Sequence, residues 1–169
     1  MKMKLTVDET EVVLGAAFQQ SLVECIPDSP AYEILFSALA KADNAEIRSG
    51  VADKENITDE TAKVLLNDTD PRVLDRILNN GIAKSIVTTD HLKNIMRIGG
   101  NDVIKTIISN ISEYDEADME EVVNLILKMN SPGLNLALAE NYQTPKRILK
   151  KLLKSDDPDI QNAARRSLE

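Results

Sequence analysis

Tryptophan is absent from this chain, and phenylalanine and tyrosine together supply only five residues. A core must therefore be filled by Leu, Ile, Val and Ala, which suits helix packed on helix in one domain-sized body. Cysteine occurs once, at Cys25, so no internal disulfide can form. No histidine or basic residue stands near that thiol, so it reads as a small core residue rather than a nucleophile. Histidine also occurs once, at His91, which excludes two-histidine zinc sites, di-iron helical-repeat hydroxylase chemistry and paired-histidine acid/base schemes. His91 lies near an expected helix start and reads as a packing or capping residue. Glycine is too scarce for a phosphate-cradling loop, and Gly99-Gly100-Asn101 reads as a corner between helices. No apolar run approaches the roughly twenty residues of a membrane span. Acidic residues follow the first two lysines too closely for a signal peptide, so a cytoplasmic protein with no membrane contact is expected. The net charge of −8 argues against nucleic acid as a partner.

What the chain does have is a spacing. Counted from Pro158, apolar residues stand at Ile148, Leu149, Leu152 and Leu153 before it and at Ile160 and Ala164 after it. From Pro132 the same count finds Val122, Val123, Ile126 and Leu127, then Leu134 and Leu138. From Asn101 it finds Leu92, Ile95 and Met96, then Val103, Ile104, Ile107 and Ile108. Pro71 yields Ala62, Leu65 and Leu66, then Val73, Leu74, Ile77 and Leu78. Ala45 yields Leu35, Phe36, Leu39 and Ala40, then Ile47, Val51 and Ala52. These anchors stand 26, 30, 31 and 26 residues apart. Two amphipathic helices around each anchor explain the pattern, and its recurrence predicts an array of helix pairs.

Stop and start signals agree with that frame. Thr58, Thr88, Asp118 and Thr144 fall where each first helix needs an N-cap, with Pro145 at the first helical position. Asn79-Asn80-Gly81, Asn110 and Asn141 close the second helices, as residues tolerant of the left-handed conformation. No sustained alternation of period two occurs, so strands are not expected. The expected fold class is all-α. Val12, Val13, Ala16, Ala17 and Leu22 predict one further helix from about Asp8 to Cys25, ended by Pro27 and Pro30. Residues 1–28 then form an N-terminal capping helix, and residues 29–169 the repeat array.

The segments Ala45-Glu46-Ile47-Arg48-Ser49-Gly50-Val51-Ala52 and Leu138-Ala139-Glu140-Asn141-Tyr142-Gln143-Thr144-Pro145, with the Asp-Asp-Pro-Asp corner at 156–159, resemble the leucine-rich-variant repeat. The resemblance runs over roughly residues 29–169. It implies a right-handed α-solenoid of about five repeats, akin to the HEAT and armadillo arrays, and no reaction. Members of that family can carry an N-terminal iron–sulfur module held by several cysteines. With Cys25 alone, no cofactor is expected here.

Charge is uneven along the chain. Residues 1–60 hold twelve acidic and five basic side chains, whereas residues 140–169 hold five acidic and seven basic. Lys146, Lys150 and Lys154, with Arg147 and Lys151, form a basic stripe that reads as a solvated helix face or a contact for an acidic partner. Glu113, Asp115, Glu116, Asp118, Glu120 and Glu121 cluster around one helix start, which reads as helix-start chemistry or a dock for a basic protein. The remaining surface points to recognition. On the outward side of the second helices, Arg72, Asp75, Arg76, Lys105, Asn135, Leu136 and Asn162 are the candidate protein-binding residues. Leu136 there is either locally packed or an anchor for a partner. The expected function is a non-enzymatic protein-binding module, an adaptor, chaperone-like subunit or inhibitor, for another protein with a basic surface. The rival from another class is a helical-repeat lyase or a cofactor-handling enzyme subunit.

Overall fold

A computed structural model describes residues 4–7, 10–13 and 15–169, which divide into two compact units, one ending at Ala83 and the other spanning Lys84–Glu169. Helix dominates both. The first unit contains β1 (Lys4–Val7), β2 (Thr10–Val13), α1 (Ala16–Cys25), a single 3-10 turn (Pro30–Tyr32), α2 (Glu33–Leu39), α3 (Ala45–Ala52), α4 (Asp59–Leu66) and α5 (Pro71–Ile77). A short α6 (Gly81–Ile86) follows. The second unit continues with α7 (Thr89–Ile98), α8 (Gly100–Ser109), α9 (Met119–Lys128), α10 (Pro132–Glu140), α11 (Lys146–Leu152) and α12 (Pro158–Arg166). No described helix is long and apolar enough to cross a membrane.

The apolar spacing translates into a core. In the first unit α3 packs on α5 and α1, and α2 on α4; in the second, α10 packs on α12 and α8, and α7 on α9. Each anchor Pro sits at the first residue of its second helix, where its missing N–H costs no intrahelical bond. Leu65, Leu74, Ile77, Leu92, Ile107, Ile126 and Ile148 are all fully buried. Leu35, Leu127 and Leu153, expected in the same rows, are only half-buried.

Three of the four expected N-caps hold. The hydroxyls of Thr58 and Thr88 accept from the amides of Thr61 and His91, and the Asp118 carboxylate accepts from Glu121. Thr144 does not cap. Pro145 stays extended with ψ 130, so α11 begins at Lys146 and Thr144 falls one residue short of the cap position. Its hydroxyl is buried and finds no partner.

The asparagines also end their helices differently from the expectation. Positive φ among the described residues is confined to Gly100 (φ 68), inside the expected Gly-Gly-Asn corner, and Asn130 (φ 51), which turns the chain between α9 and α10. Asn110 and Asn141 keep negative φ. Asn80 and Asn141 act through their side chains instead. Asn80 Nδ2 donates to the carbonyls of Ala52 (3.0 Å) and Lys54 (2.8 Å) at the end of α3, while its Oδ1 accepts from the Ile82 amide at 2.9 Å. Asn141 Nδ2 likewise donates to the Ile108 carbonyl of α8. Ser167 Oγ reaches the Ala139 carbonyl of α10 at 2.7 Å. At α3, α8 and α10, otherwise orphaned C-terminal carbonyls are thus satisfied by a side chain from the end of the second helix that follows. Asn80→Ala is expected to lower stability by about 1–2 kcal/mol by stranding buried carbonyls. A urea midpoint that did not move would show those bonds to be energetically idle.

The N-terminal end departs most from expectation. The expected helix from Asp8 starts only at Ala16; Asp8 and Glu9 lie outside the described residues, and Thr10–Val13 pairs antiparallel with Lys4–Val7 in the register Lys4↔Val13 to Val7↔Thr10. Thr6, Val7, Thr10, Val12 and Val13 are β-branched and favour this pleated pairing. Four-residue strands are too short for alternation to register in a sequence window. Cys25, expected in the core, is exposed: Val23 and Ile26 take the buried stripe of this segment, and the thiol falls beside it.

Candidate interaction surface

The seven candidate binding residues fall on second helices, but they do not form one uniform face. In the first unit Arg72, Asp75 and Arg76 share α5. Arg72 is tied twice: it bonds the Glu46 carboxylate of α3 and, through Nη2, the Asp70 carboxylate at 2.8 Å. The Arg72 hydrogen bond holds the Asp70 carboxyl down to about 2. Arg76 pairs with Asp53 of α3 at 2.9 Å. Asp75 is half-buried and engaged. The cations here serve as exposed cross-links between α3 and α5, each worth about 0–1 kcal/mol.

In the second unit the arrangement is more open. Leu136 of α10 and Asn162 of α12 line one groove of about 600 Å³, together with Glu140, Asp159, Arg165 and Arg166. Leu136 is half-buried there, with part of its side chain presented to the groove. Arg165 Nη1 donates to Asn162 Oδ1 at 3.3 Å, and among the described residues neither Arg165 nor Arg166 pairs with a carboxylate. Lys105 of α8 lines a neighbouring groove of about 450 Å³ with Ile108, Ala137, Glu140 and Tyr142. Among the described residues its one partner is Asp102, three residues away at 3.5 Å. Glu140 borders both grooves, so they lie on either side of α10. Tyr142 is 77 % exposed, the most exposed of the described aromatic side chains.

Asn135 goes elsewhere. It lines a third depression with Leu127, Lys151 and Lys154, and its buried Oδ1 has no hydrogen-bond partner. Asn135 stands about 100° around α10 from Leu136 and faces this depression beside α11 instead of the groove beside α12.

The two charged clusters largely answer internal needs. Glu113 pairs with Lys84 at 2.7 Å, Glu121 with Lys93 at 2.8 Å and Glu120 with Arg147 at 2.5 Å, while Asp118 caps α9. From the basic stripe Arg147 is therefore engaged, and Lys151 reaches Asn124 at 3.5 Å. Lys146, Lys150 and Lys154 remain exposed without a carboxylate partner among the described residues.

His91 is half-buried in a capping box: its Nδ1 accepts from the Thr88 amide at 3.2 Å. Among the described residues no group of His, Cys, Asp and Glu is gathered as metal ligands would be. Sequence reasoning missed Tyr142 and Arg165 as surface determinants. Tyr142 stands inside the repeat-like segment from Leu138, where an aromatic followed by Gln143-Thr144-Pro145 on a turn was the available signal. Arg165 had none, since it lies off the ladder spacing.

Comparison of the chain with family models, with curated proteins and with solved structures finds no match.

Proposed function

We propose that this protein is a non-enzymatic protein-binding module whose contact surface is the outward face of α8, α10 and α12. The observation that carries this reading is the groove in which Leu136 and Asn162, singled out by spacing alone, come together beside two arginines without carboxylate partners. Interfaces favour such a combination: arginine and aromatic residues are enriched in them, and an apolar side chain at the centre supplies the anchor. The pattern of helix pairs agrees with the resemblance to leucine-rich-variant repeats, a class that builds extended recognition surfaces. Under this reading the α3–α5 face, with its arginines tied down, contributes less, and the chain works in the cytoplasm as an adaptor or inhibitor.

The test is a capture comparison. Immobilised protein is expected to retain one stoichiometric partner from a native lysate, and Leu136→Asp is expected to lose it while Lys150→Glu, on the basic stripe, retains it. Lys150 is exposed and tolerates substitution within roughly 0.5 kcal/mol, whereas Leu136 is half-buried, so matched thermal melts must accompany the capture. Loss with Lys150→Glu and retention with Leu136→Asp would move the site to the stripe.

A further inference from the structure

The flank of α11 turned away from α9 has a chemistry of its own. We infer that it binds an acidic amphipathic helix whose carboxylates stand four residues apart. This goes beyond the binding reading above, since it concerns a different face and a second partner.

The geometry follows from how the first helices of the second unit meet. Lys93 of α7 pairs with Glu121 of α9 at 2.8 Å, and Glu120 and Asn124 of α9 meet Arg147 and Lys151 of α11 at 2.5 and 3.5 Å. Counted back from Asn101, Pro132 and Pro158, the side chains that reach the following helix stand at the twelfth or eighth place: Lys93, Glu120 and Asn124. Those that reach the preceding helix stand at the eleventh or seventh: Glu121, Arg147 and Lys151. On α11 the twelfth and eighth places are Lys146 and Lys150. Both are exposed, and neither has a carboxylate partner among the described residues. Residues four apart are neighbours on one helix face, so the two ammonium groups stand one above the other. Leu153, three residues beyond Lys150 and half-buried, adds an apolar contact on the same side.

The charge of this flank has no explanation inside the fold. The first turns of α2, α4, α7 and α9 carry Glu33, Asp59 and Glu60, Asp90, and Glu120 and Glu121, as the positive end of a helix dipole favours. The first turn of α11 carries Lys146 and Arg147 instead, and the helix has no acidic residue. Lys146 with Lys150, and Arg147 with Lys151, are also like charges four apart, which oppose helix formation. A face serving only solvation would be met by mixed charges, as on α9. Of the carboxylates in the corner that follows, Asp157 caps α12 through the Asp159 amide at 2.9 Å, and Asp156 lies beyond the helix end next to Lys154 and Ser155. A facing pair of carboxylates offsets both the dipole and the repulsion. Two places four apart on one helix present such a pair at the spacing of Lys146 and Lys150, and the α9–α11 junction already shows helix side chains meeting in this way.

The probe is a fluorescein-labelled amphipathic helical peptide of about fifteen residues, with two glutamates four apart beside a leucine, titrated with the full chain and followed by anisotropy. Lys146→Glu and Lys150→Glu are each expected to weaken binding about tenfold, since each exchanges an attraction for a repulsion. Neither variant is expected to melt lower, because both positions are exposed and Lys146→Glu places an acid where the helix dipole favours one. A peptide of the same composition with its glutamates two residues apart, and so on different faces, is expected to bind about tenfold less tightly. A peptide with lysine in place of both glutamates is expected to bind only the doubly reversed variant. Absence of binding, equal binding of the respaced peptide, indifference to both charge reversals, or displacement of the probe by an equal concentration of oligothymidylate overturns the inference. Leu136→Asp is expected to leave peptide binding unchanged, so the outward face of α8, α10 and α12 can fail its own capture test while this flank passes, and the reverse.

Discussion

Ile126→Ala is expected to lower the unfolding free energy by about 2–5 kcal/mol, the range for deleting buried aliphatic groups from a core that closes only partly around the gap. Ile126 is fully buried in α9, in a row with the equally buried Val122 and Val123. That helix packs against both α7 and α10, so the cavity opens between three helices rather than at a surface. The lost transfer energy and the unfilled volume then add. The comparison residue is Val64 of α4, which is 38 % exposed. Val64→Ala is expected to stay within roughly 0.5 kcal/mol, because alanine's better helix propensity offsets the little burial lost. Urea denaturation followed by circular dichroism measures both. An unmoved midpoint for Ile126→Ala, with the slope unchanged, would mean that the apolar rows were assigned to the wrong side of their helices.

Asp68→Ala is expected to destabilise the protein by about 3 kcal/mol, in the lower part of the range for breaking a buried ion pair, since this pair keeps some contact with solvent. Arg48 of α3 and Asp68, in the corner between α4 and α5, meet through two parallel bonds, Nε to Oδ2 at 2.6 Å and Nη2 to Oδ1 at 2.9 Å. Their side chains are 15 % and 6 % exposed. The remaining guanidinium edge donates to the carbonyls of Ala42 and Asp43, so one side chain joins the corner before α3 to the corner before α5. Removing the carboxylate leaves the guanidinium half-buried without its counter-charge. Arg48→Lys keeps the charge but loses the fork, and is expected to cost about 1–2 kcal/mol.

The pair also carries a pH signature. Burial by itself would push the Asp68 carboxyl upward, but the Arg48 hydrogen bond and the amides of Asp70 and Thr69 outweigh it and leave the pKa below its ordinary value. A carboxyl depressed on folding contributes stability that is fully present above its unfolded pKa of about 3.9 and is lost as pH falls through the folded value. Asp70, held at about 2 by Arg72, acts in the same window and direction. Stability should therefore be flat in this term from neutrality to about pH 5 and fall below about pH 4, and Asp68→Ala should make that acid limb shallower. An acid limb identical in the variant would remove Asp68 from the account.

How far the sequence alone determines this protein follows from the range of the physics involved. The core rows from Phe36 to Ile160 were legible because an amphipathic helix repeats its apolar face within one or two turns, so each row is written in a short local window. The caps at Thr58, Thr88 and Asp118 were legible for the same reason, since a capping side chain bonds an amide only three residues ahead. Local reasoning failed where two local preferences compete: at Thr144 the extended Pro145 moved the helix start, and at Thr10–Val13 short β-branched pairs prevailed over a helical face. The candidate surface was legible only in part. Spacing identified Leu136 and Asn162 as outward residues, but that they share a groove with Arg165 and Arg166, and that Asn135 does not, depends on how α10 is rotated against its neighbours. Which charges are spent is likewise decided between residues distant in the chain, as in Arg48 with Asp68, Arg147 with Glu120 and Lys84 with Glu113. Helical periodicity is a local property and can be read along the chain, whereas the pairing of charges across helices exists only once packing has brought their side chains within reach.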